Sequence, residues 1–294
     1  MTAVRTHRPA PGLPLVRELG DVDLPELAAL CAVDPVASVL AATRVETALV
    51  SGLARTGGKA WGFPAEGPIT AACWSGANLV PVVPEPSAEV LDAFAAQARA
   101  QGRRCSSIVG PAVAALGLWR RLEDYWGPAR SVRTEQPSMV IQGPPLVEPD
   151  PDVRRSVAAD LPDLLPACVR MFEEEVGYSP MTYSGRAYEE RVSMLVAERR
   201  SFLSRTAEPD GRIVFKAEIG ALTRDVAQIQ GVWVDPLDRG TGRAAPGMAA
   251  VVQSTLADSA RLVSLYVNSF NERALATYRR VGFEQVGTYA TVLF

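Results

Sequence analysis

The chain has 294 residues, 48% of them hydrophobic and 21% charged, enough for one large domain or two of ordinary size with well-packed cores. A formal charge of -3, with no basic stripe interleaved with aromatics, argues against a nucleic-acid partner. The only histidine is His7, which removes Ser-His-Asp and Cys-His hydrolases and histidine-rich metal sites, so no metal is expected and any chemistry falls to carboxylates, tyrosine, lysine or backbone.

The polar, proline-bearing segment from Thr6 to Pro14 lacks the apolar core of a signal peptide, and no segment has the length of a membrane span. A cytoplasmic protein without a membrane partner is expected. Cys31, Cys73, Cys105 and Cys168 lie far apart in apolar surroundings and read as buried reduced thiols. Lys59 and Lys216 are the only lysines among abundant arginines, a bias that points to a GC-rich bacterial genome.

In the first half, Asp23 to Leu30 and Pro35 to Leu49 have helical patterning, and Pro68 to Ser75 with Asn78 to Val83 forms an expected hairpin. Glu89 to Arg99 is amphipathic, Cys105 to Val109 is a strand, and Pro111 to Leu122 is a helix. The proline-rich stretch Gly143 to Pro151 cannot be a helix interior and reads as a connection, flanked by short strands at Ser138 to Gln142 and Val153 to Val157. This divides the chain into domains at residues 1–146 and 147–294.

The second half opens with helices at Leu161 to Val176 and Ala187 to Glu198. Strands follow at Ser201 to Arg205, Ile213 to Thr223 and Val226 to Val234, separated by turn signals at Pro209-Asp210-Gly211 and Arg224-Asp225. Met248, Val251, Val252 and Leu256 then share one helix face. Leu262 to Val267 is a strand, Glu272 to Val281 a helix, and Glu284 to Leu293 the closing strands. The segment Ala115 to Leu122 can be laid on Ala274 to Val281 without gaps, inside the same alternation of strands and helices, which suggests an internal repeat.

Two motifs carry chemistry. Arg239-Gly240-Thr241-Gly242-Arg243-Ala244 sits between the strand ending Val232-Trp233-Val234 and a helix, where bare N–H groups and the helix dipole can cradle a pyrophosphate. The second motif runs from Asn271 through Ala274 and Tyr278 to Gly282 and Phe283. Across Arg154 to Phe294 this combination resembles the GNAT superfamily of N-acetyltransferases, with Arg239, Gly242 and Ala244 filling the family's cofactor-loop pattern. Pro246 departs from a fully donating helix start because it has no N–H.

The resemblance implies an α/β (α+β) fold of two GNAT-like domains, each with a mixed, mainly antiparallel sheet flanked by helices. It implies acetyl-CoA as acyl donor, held by residues 239–244, by the edge Val232-Trp233-Val234, and by Asn271 and Ala274. Tyr278 would protonate the leaving thiolate; as a core aromatic it would need no such role, and Asn271 fits a helix cap equally well. Glu218 is the candidate base, its pKa raised by burial; it also fits a solvent-facing residue or a partner of Lys216. Gln228 and Gln230 are candidate acceptor contacts, and Glu173-Glu174-Glu175 with Tyr178 and Tyr183 would suit a cationic amine.

The first half lacks these features: Pro84-Glu85-Pro86-Ser87 stands where a glycine loop would be, and Trp119 where the tyrosine would be. It is expected to have lost CoA binding and to brace the other half. The expected activity is direct transfer of an acetyl group to an amine, in a small molecule or peptide. A protein N-terminal or lysine acetyltransferase and a non-catalytic acyl-CoA sensor stay open as alternatives, and the sequence does not specify an oligomeric state.

Overall fold

The computed structural model describes residues 15–207 and 211–294. His7, the Thr6 to Pro14 segment and Pro209-Asp210 of the expected turn lie outside them. The first half contains β1 (Arg17–Glu18), α1 (Leu24–Cys31), α2 (Pro35–Ser51), β2 (Lys59–Phe63), β3 (Ala71–Ser75), β4 (Asn78–Val82), α3 (Ala88–Gln101), β5 (Ser107–Pro111), α4 (Ala112–Trp126) and β6 (Ser131–Ile141). The second half repeats that order as β7 (Arg154–Arg155), α5 (Leu161–Val176), α6 (Met181–Ala197), β8 (Ser201–Arg205), β9 (Ile213–Leu222), β10 (Val226–Val234), α7 (Ala244–Asp258), β11 (Leu262–Tyr266), α8 (Glu272–Val281) and β12 (Glu284–Leu293).

Local chemistry sets the ends of these elements. Asp34 accepts from the Ala37 N–H at 2.9 Å with Pro35 at the first helical position of α2. Asn271 caps α8 in the same way, and Gly282 ends it at φ +112°, a conformation that only glycine adopts without strain. Helix α6 begins six residues before the expected Ala187 because Ser184, at φ -146°, interrupts its periodicity. Strand β2 is absent from the sequence reading; its Gly62 breaks the pattern, and a Cβ there would lie 2.7 Å from both Leu19 and Ile69.

Among the described residues twelve strands form one sheet in the order β1-β2-β3-β4-β5-β12-β6-β11-β10-β9-β8-β7, in which only β4–β5 and β10–β11 pair in parallel. The last strand of each half is inserted into the sheet of the other: β12 lies between β5 and β6, while β6 lies between β12 and β11. Glu284 to Leu293 is therefore one long strand rather than several, and Gly287 marks a register shift inside it rather than a turn.

Helices α3 and α4 pack on one face of the first half and α1 and α2 on the other. In the second half α7 and α8 cover one face, and α5 and α6 the other. Helix α2 also reaches across to β9 and β10, where Val39 packs on Ala221 and Val226. The connection follows α7 and α8, with the Leu146 N–H donating to the Val281 carbonyl and that of Asp150 to Pro246. All four cysteines are buried free thiols, and burial pushes Cys31 up to about 12 and Cys168 up to about 11. Among the described residues no helix is long and apolar enough to cross a membrane.

Asp160, just before α5, ties this helix to the sheet. It accepts from Arg154 at 2.7 and 2.8 Å, from the Val157 N–H at 2.9 Å and from Arg205 at 3.1 Å. The Arg154 bonds hold its carboxyl well below the usual carboxylate range against the opposing effect of burial, with Val157 and Arg205 adding to them. The stabilisation is present above the ordinary value near 3.9 and is lost as pH falls through the lower native value. Asp160→Asn is expected to cost about 2 kcal/mol at pH 7, with the gap to wild type narrowing below about pH 4; thermal unfolding at both pH values checks this.

Candidate active site

The parallel pair β10–β11 is in register only over Val226–Gln228 and Leu262–Ser264. Beyond Gln228 the strands diverge, so the outer edge of β10 from Ile229 to Val234 has no strand partner. On its other side β10 stays paired to β9, with a bulge between Gln230 and Trp233 where Gly231 sits at φ +60°. The divergence opens a cleft floored by backbone groups.

The glycine turn follows directly. Asp235 accepts from the Leu237 N–H at 3.0 Å, and Asp238 receives Arg243 at 3.2 Å and also Arg212, which fixes the turn from beneath. Gly240 and Gly242 adopt φ +80° and +88° with open space at both Cβ positions. Thr241 spends its N–H and hydroxyl on the Asp238 carbonyl. The N–H groups of Gly240, Gly242, Arg243, Ala244 and Ala245 have no protein partner among the described residues. Five free donors at the start of α7 form an anion cradle, and Pro246 leaves it intact because the donors precede it.

Val232 and Val234 pack toward the α7–α8 core. Trp233 turns to the opposite face among α5 and α6, donating its indole N–H to Glu174 at 3.4 Å under the Arg170 guanidinium. Any contact of Trp233 with a ligand in the cleft would thus come from its backbone. Arg239 bonds the Val234 carbonyl at 3.1 Å and pairs with Glu174. Asn271 Oδ1 accepts from the Ala274 N–H at 3.2 Å, so this side chain is a helix cap.

Tyr278 is buried on α8 and packs edge-on against Phe283 at 5.9 Å. Its hydroxyl has no hydrogen-bond partner among the described residues. Burial raises its pKa above the ordinary phenol value, and the nearby Glu175 charge raises it further. Glu175 acts across the sheet from the end of α5 and also pushes Tyr266 upward. Arg133 of β6 in the first half holds it, with one bond of 3.3 Å to the carboxylate and one of 3.0 Å to the Glu175 carbonyl. The sequence signal for Glu175 was an acidic run, which does not separate it from Glu173 and Glu174.

For Glu218 the expected direction of the pKa shift is reversed. The residue is 2% exposed and burial alone would raise its pKa, but Lys216 and Arg191 together take it below the usual range. Its Oε1 receives Lys216 at 2.8 Å and the Cys168 thiol at 3.4 Å, and its Oε2 receives Arg191 at 3.5 Å. A carboxylate so occupied is a poor proton acceptor. Gln230 is exposed, lying across Gly220, and Gln228 is buried with its Nε2 unpartnered among the described residues. Glu174 and Glu175 are both paired with arginines, which weakens the acidic surface expected for a cationic amine.

The corresponding region of the first half is arranged differently. The β4–β5 register also covers only two residue pairs, but Pro81 lies against Gly110, within 3.5 Å of where a Cβ would stand. Ser87 caps α3 itself by accepting from the Val90 N–H. Trp119 packs edge-on against the terminal Phe294 at 5.6 Å. Among the described residues no group of three or more His, Cys, Asp or Glu side chains could hold a metal ion.

A splayed parallel pair, a donor-rich turn and a helix flanking the cleft define an acyltransferase-type α/β fold. Residues 167–283 match the acetyltransferase (GNAT) family model, which places a GNAT domain in the C-terminal half. Residues 58–164 match the model of a domain of unknown function (DUF4081), consistent with a divergent first half. No curated protein matches the sequence. Among solved structures the chain is similar to a GCN5-related N-acetyltransferase from Sphaerobacter thermophilus, at 23% identity and a TM-score of 0.58, covering 94% of this chain and 93% of that one. It is also similar to a GNAT-family acetyltransferase from Colwellia psychrerythraea, at 14% identity and TM-score 0.57 over 95% and 99% of the two chains. A tandem GNAT protein from the clavulanic acid biosynthesis pathway matches at 12% identity and TM-score 0.53 over 95% and 98%. These likenesses show the tandem fold.

Proposed function

We propose that the C-terminal half transfers an acetyl group from acetyl-CoA to an amine by direct attack, and that the half ending near residue 146 braces it without binding CoA. The observation that carries this reading is the set of five free N–H donors from Gly240 to Ala245 at the mouth of the splay, with Tyr278 on the neighbouring helix. The donors would take the pyrophosphate. The free edge of β10 would pair with the amide-bearing arm, as an added strand does. The amine lone pair attacks the thioester carbonyl, forming the C–N bond as the C–S bond breaks. A β10 backbone N–H stabilises the oxyanion, and Tyr278 shares its proton with the departing thiolate.

Glu175 fits the acceptor side better than Glu218: it is half exposed, lies close enough to raise Tyr278, and is oriented by Arg133. It would attract the amine and receive its proton directly or through water. Glu175→Gln is expected to raise the acceptor KM roughly 10-fold or more while leaving acetyl-CoA affinity unchanged, the size of one charge-assisted contact; steady-state kinetics against both substrates checks this.

Helix α2 packs on β9 and β10 near Val226, at the paired end of the splay, which supports a small or chain-end acceptor over a threaded polypeptide. Calorimetry with acetyl-CoA, followed by thiol release across a panel of small amines and peptides, tests the reading. Absence of acetyl-CoA binding overturns it, and binding without release to any amine favours an acyl-CoA sensor.

A further inference from the structure

Lys216 is one of two lysines in the chain and is completely buried. Its ammonium contacts Glu218 Oε1 at 2.8 Å and the Gly231 carbonyl at 3.1 Å. Glu218 is itself anchored to α5 by the Cys168 thiol and to α6 by Arg191. The pair therefore joins the two helices on the acceptor face to a single peptide group of β10. That peptide is the bulge: Gln230 faces Glu218 and Trp233 faces Lys216, so β10 holds one residue more than β9 between these pairs. The packing is close enough that a Cβ on residue 231 would stand 3.2 Å from the ammonium and 3.3 Å from the carboxylate.

A buried ion pair gains little over apolar side chains of the same volume, so its presence under the bulge calls for a reason other than stability. An ammonium offers three donors from one point. That geometry serves two acceptors on adjacent strands where the planar guanidinium common elsewhere in the chain would not fit.

We propose that Lys216 is a positioning residue for acyl transfer, fixing the orientation of the Gly231–Val232 peptide. The peptide is planar and trans, so drawing the Gly231 carbonyl toward Lys216 turns the Val232 N–H away from the ion pair, to the side where β10 has lost β11. There it faces the place a thioester carbonyl would occupy. The proposal rests on the acetyl-transfer reading of this half.

The test uses the full chain with K216M and K216M/E218Q, the double variant leaving no unpaired carboxylate beneath the bulge. Amide hydrogen exchange and steady-state kinetics are measured on both, with acetyl-CoA affinity by calorimetry. In the double variant, exchange at Trp233, which pairs with Lys216 across the bulge, is expected to quicken roughly 10-fold or more while Val226 to Ile229 stays as in wild type; local opening produces this pattern. The kcat is expected to fall by a similar factor with acetyl-CoA Kd within about twofold, the sign of an interaction used after binding. Wild-type exchange at Trp233 overturns the clamp. Faster exchange with wild-type kcat overturns its part in catalysis. A wild-type protein that binds no acetyl-CoA overturns the acyl-transfer reading alone, and the exchange result still decides the clamp.

Discussion

Tyr278→Phe is expected to lower thiol release from acetyl-CoA roughly 10²–10⁴-fold, the range of a lost general acid, while acetyl-CoA affinity measured by calorimetry stays within about twofold. The substitution removes one oxygen and keeps the ring that packs against Phe283. Burial and the Glu175 charge both raise the phenol pKa, so Tyr278 keeps its proton through neutral and mildly alkaline pH and its ionisation should not set an alkaline limb below about pH 10. The raised value also makes it a weak acid. Under the acyl-transfer reading its contribution would come from a hydrogen bond to sulfur that strengthens as the thiolate forms, with the proton moving late. Equal turnover in wild type and variant would remove Tyr278 from the mechanism.

Val292→Asp is expected to abolish the folded state of both halves together. Val292 is fully buried toward the C-terminal end of β12, with β5 on one side and β6 on the other, and faces the α3–α4 core. An unpaired carboxylate there costs roughly 4 kcal/mol or more, a large part of the stability of an ordinary domain. Because β12 completes the sheet of the first half and β6 that of the second, the loss should appear as one transition. The same topology predicts that residues 1–146 and 147–294, made separately, give no cooperative unfolding transition alone and regain one when mixed. Each piece alone would expose a long sheet edge and lack a central strand. A cooperative transition in 147–294 by itself would show that the exchanged strand is dispensable.

The two predictions differ in how much of their basis was visible in the chain. Tyr278 and the glycine turn stand in a contiguous run of about fifty residues, and their meaning depends on local conformation: a positive φ at Gly240 and Gly242, a cap at Asn271, a two-turn spacing along α8. Such features are written in short-range residue chemistry. The exchange of β6 and β12 is not, because a strand's alternation shows which residues face a core but not which strand lies beside it. Both strands carry ordinary patterning, and β12 pairs with β5 more than 170 positions away.

Charge shows the same division. Glu218 was legible as a strand residue alternating with Lys216, and burial was a fair expectation. The sign of its pKa shift depended on Arg191 and Cys168, supplied by two helices whose packing no local pattern reports. Glu175 was legible as part of an acidic run; its effect on Tyr278 comes from the placing of α5 and α8 on the sheet of the second half, and its support by Arg133 from the meeting of the two halves.

By itself the sequence determined the resemblance of the second half to its family, the order of its strands and helices, the glycine turn and the tyrosine on the following helix, because these rest on turn chemistry, capping and periodicity within a few residues. The tertiary structure decided that the two halves share one sheet, that Pro81 lies against Gly110 and Trp119 against Phe294 in the first half, and that Glu218 lies under the β10 bulge as the partner of a buried lysine. Those outcomes are set by pairing and packing between residues far apart in the chain, where side-chain type limits the choices and only the assembled core selects among them.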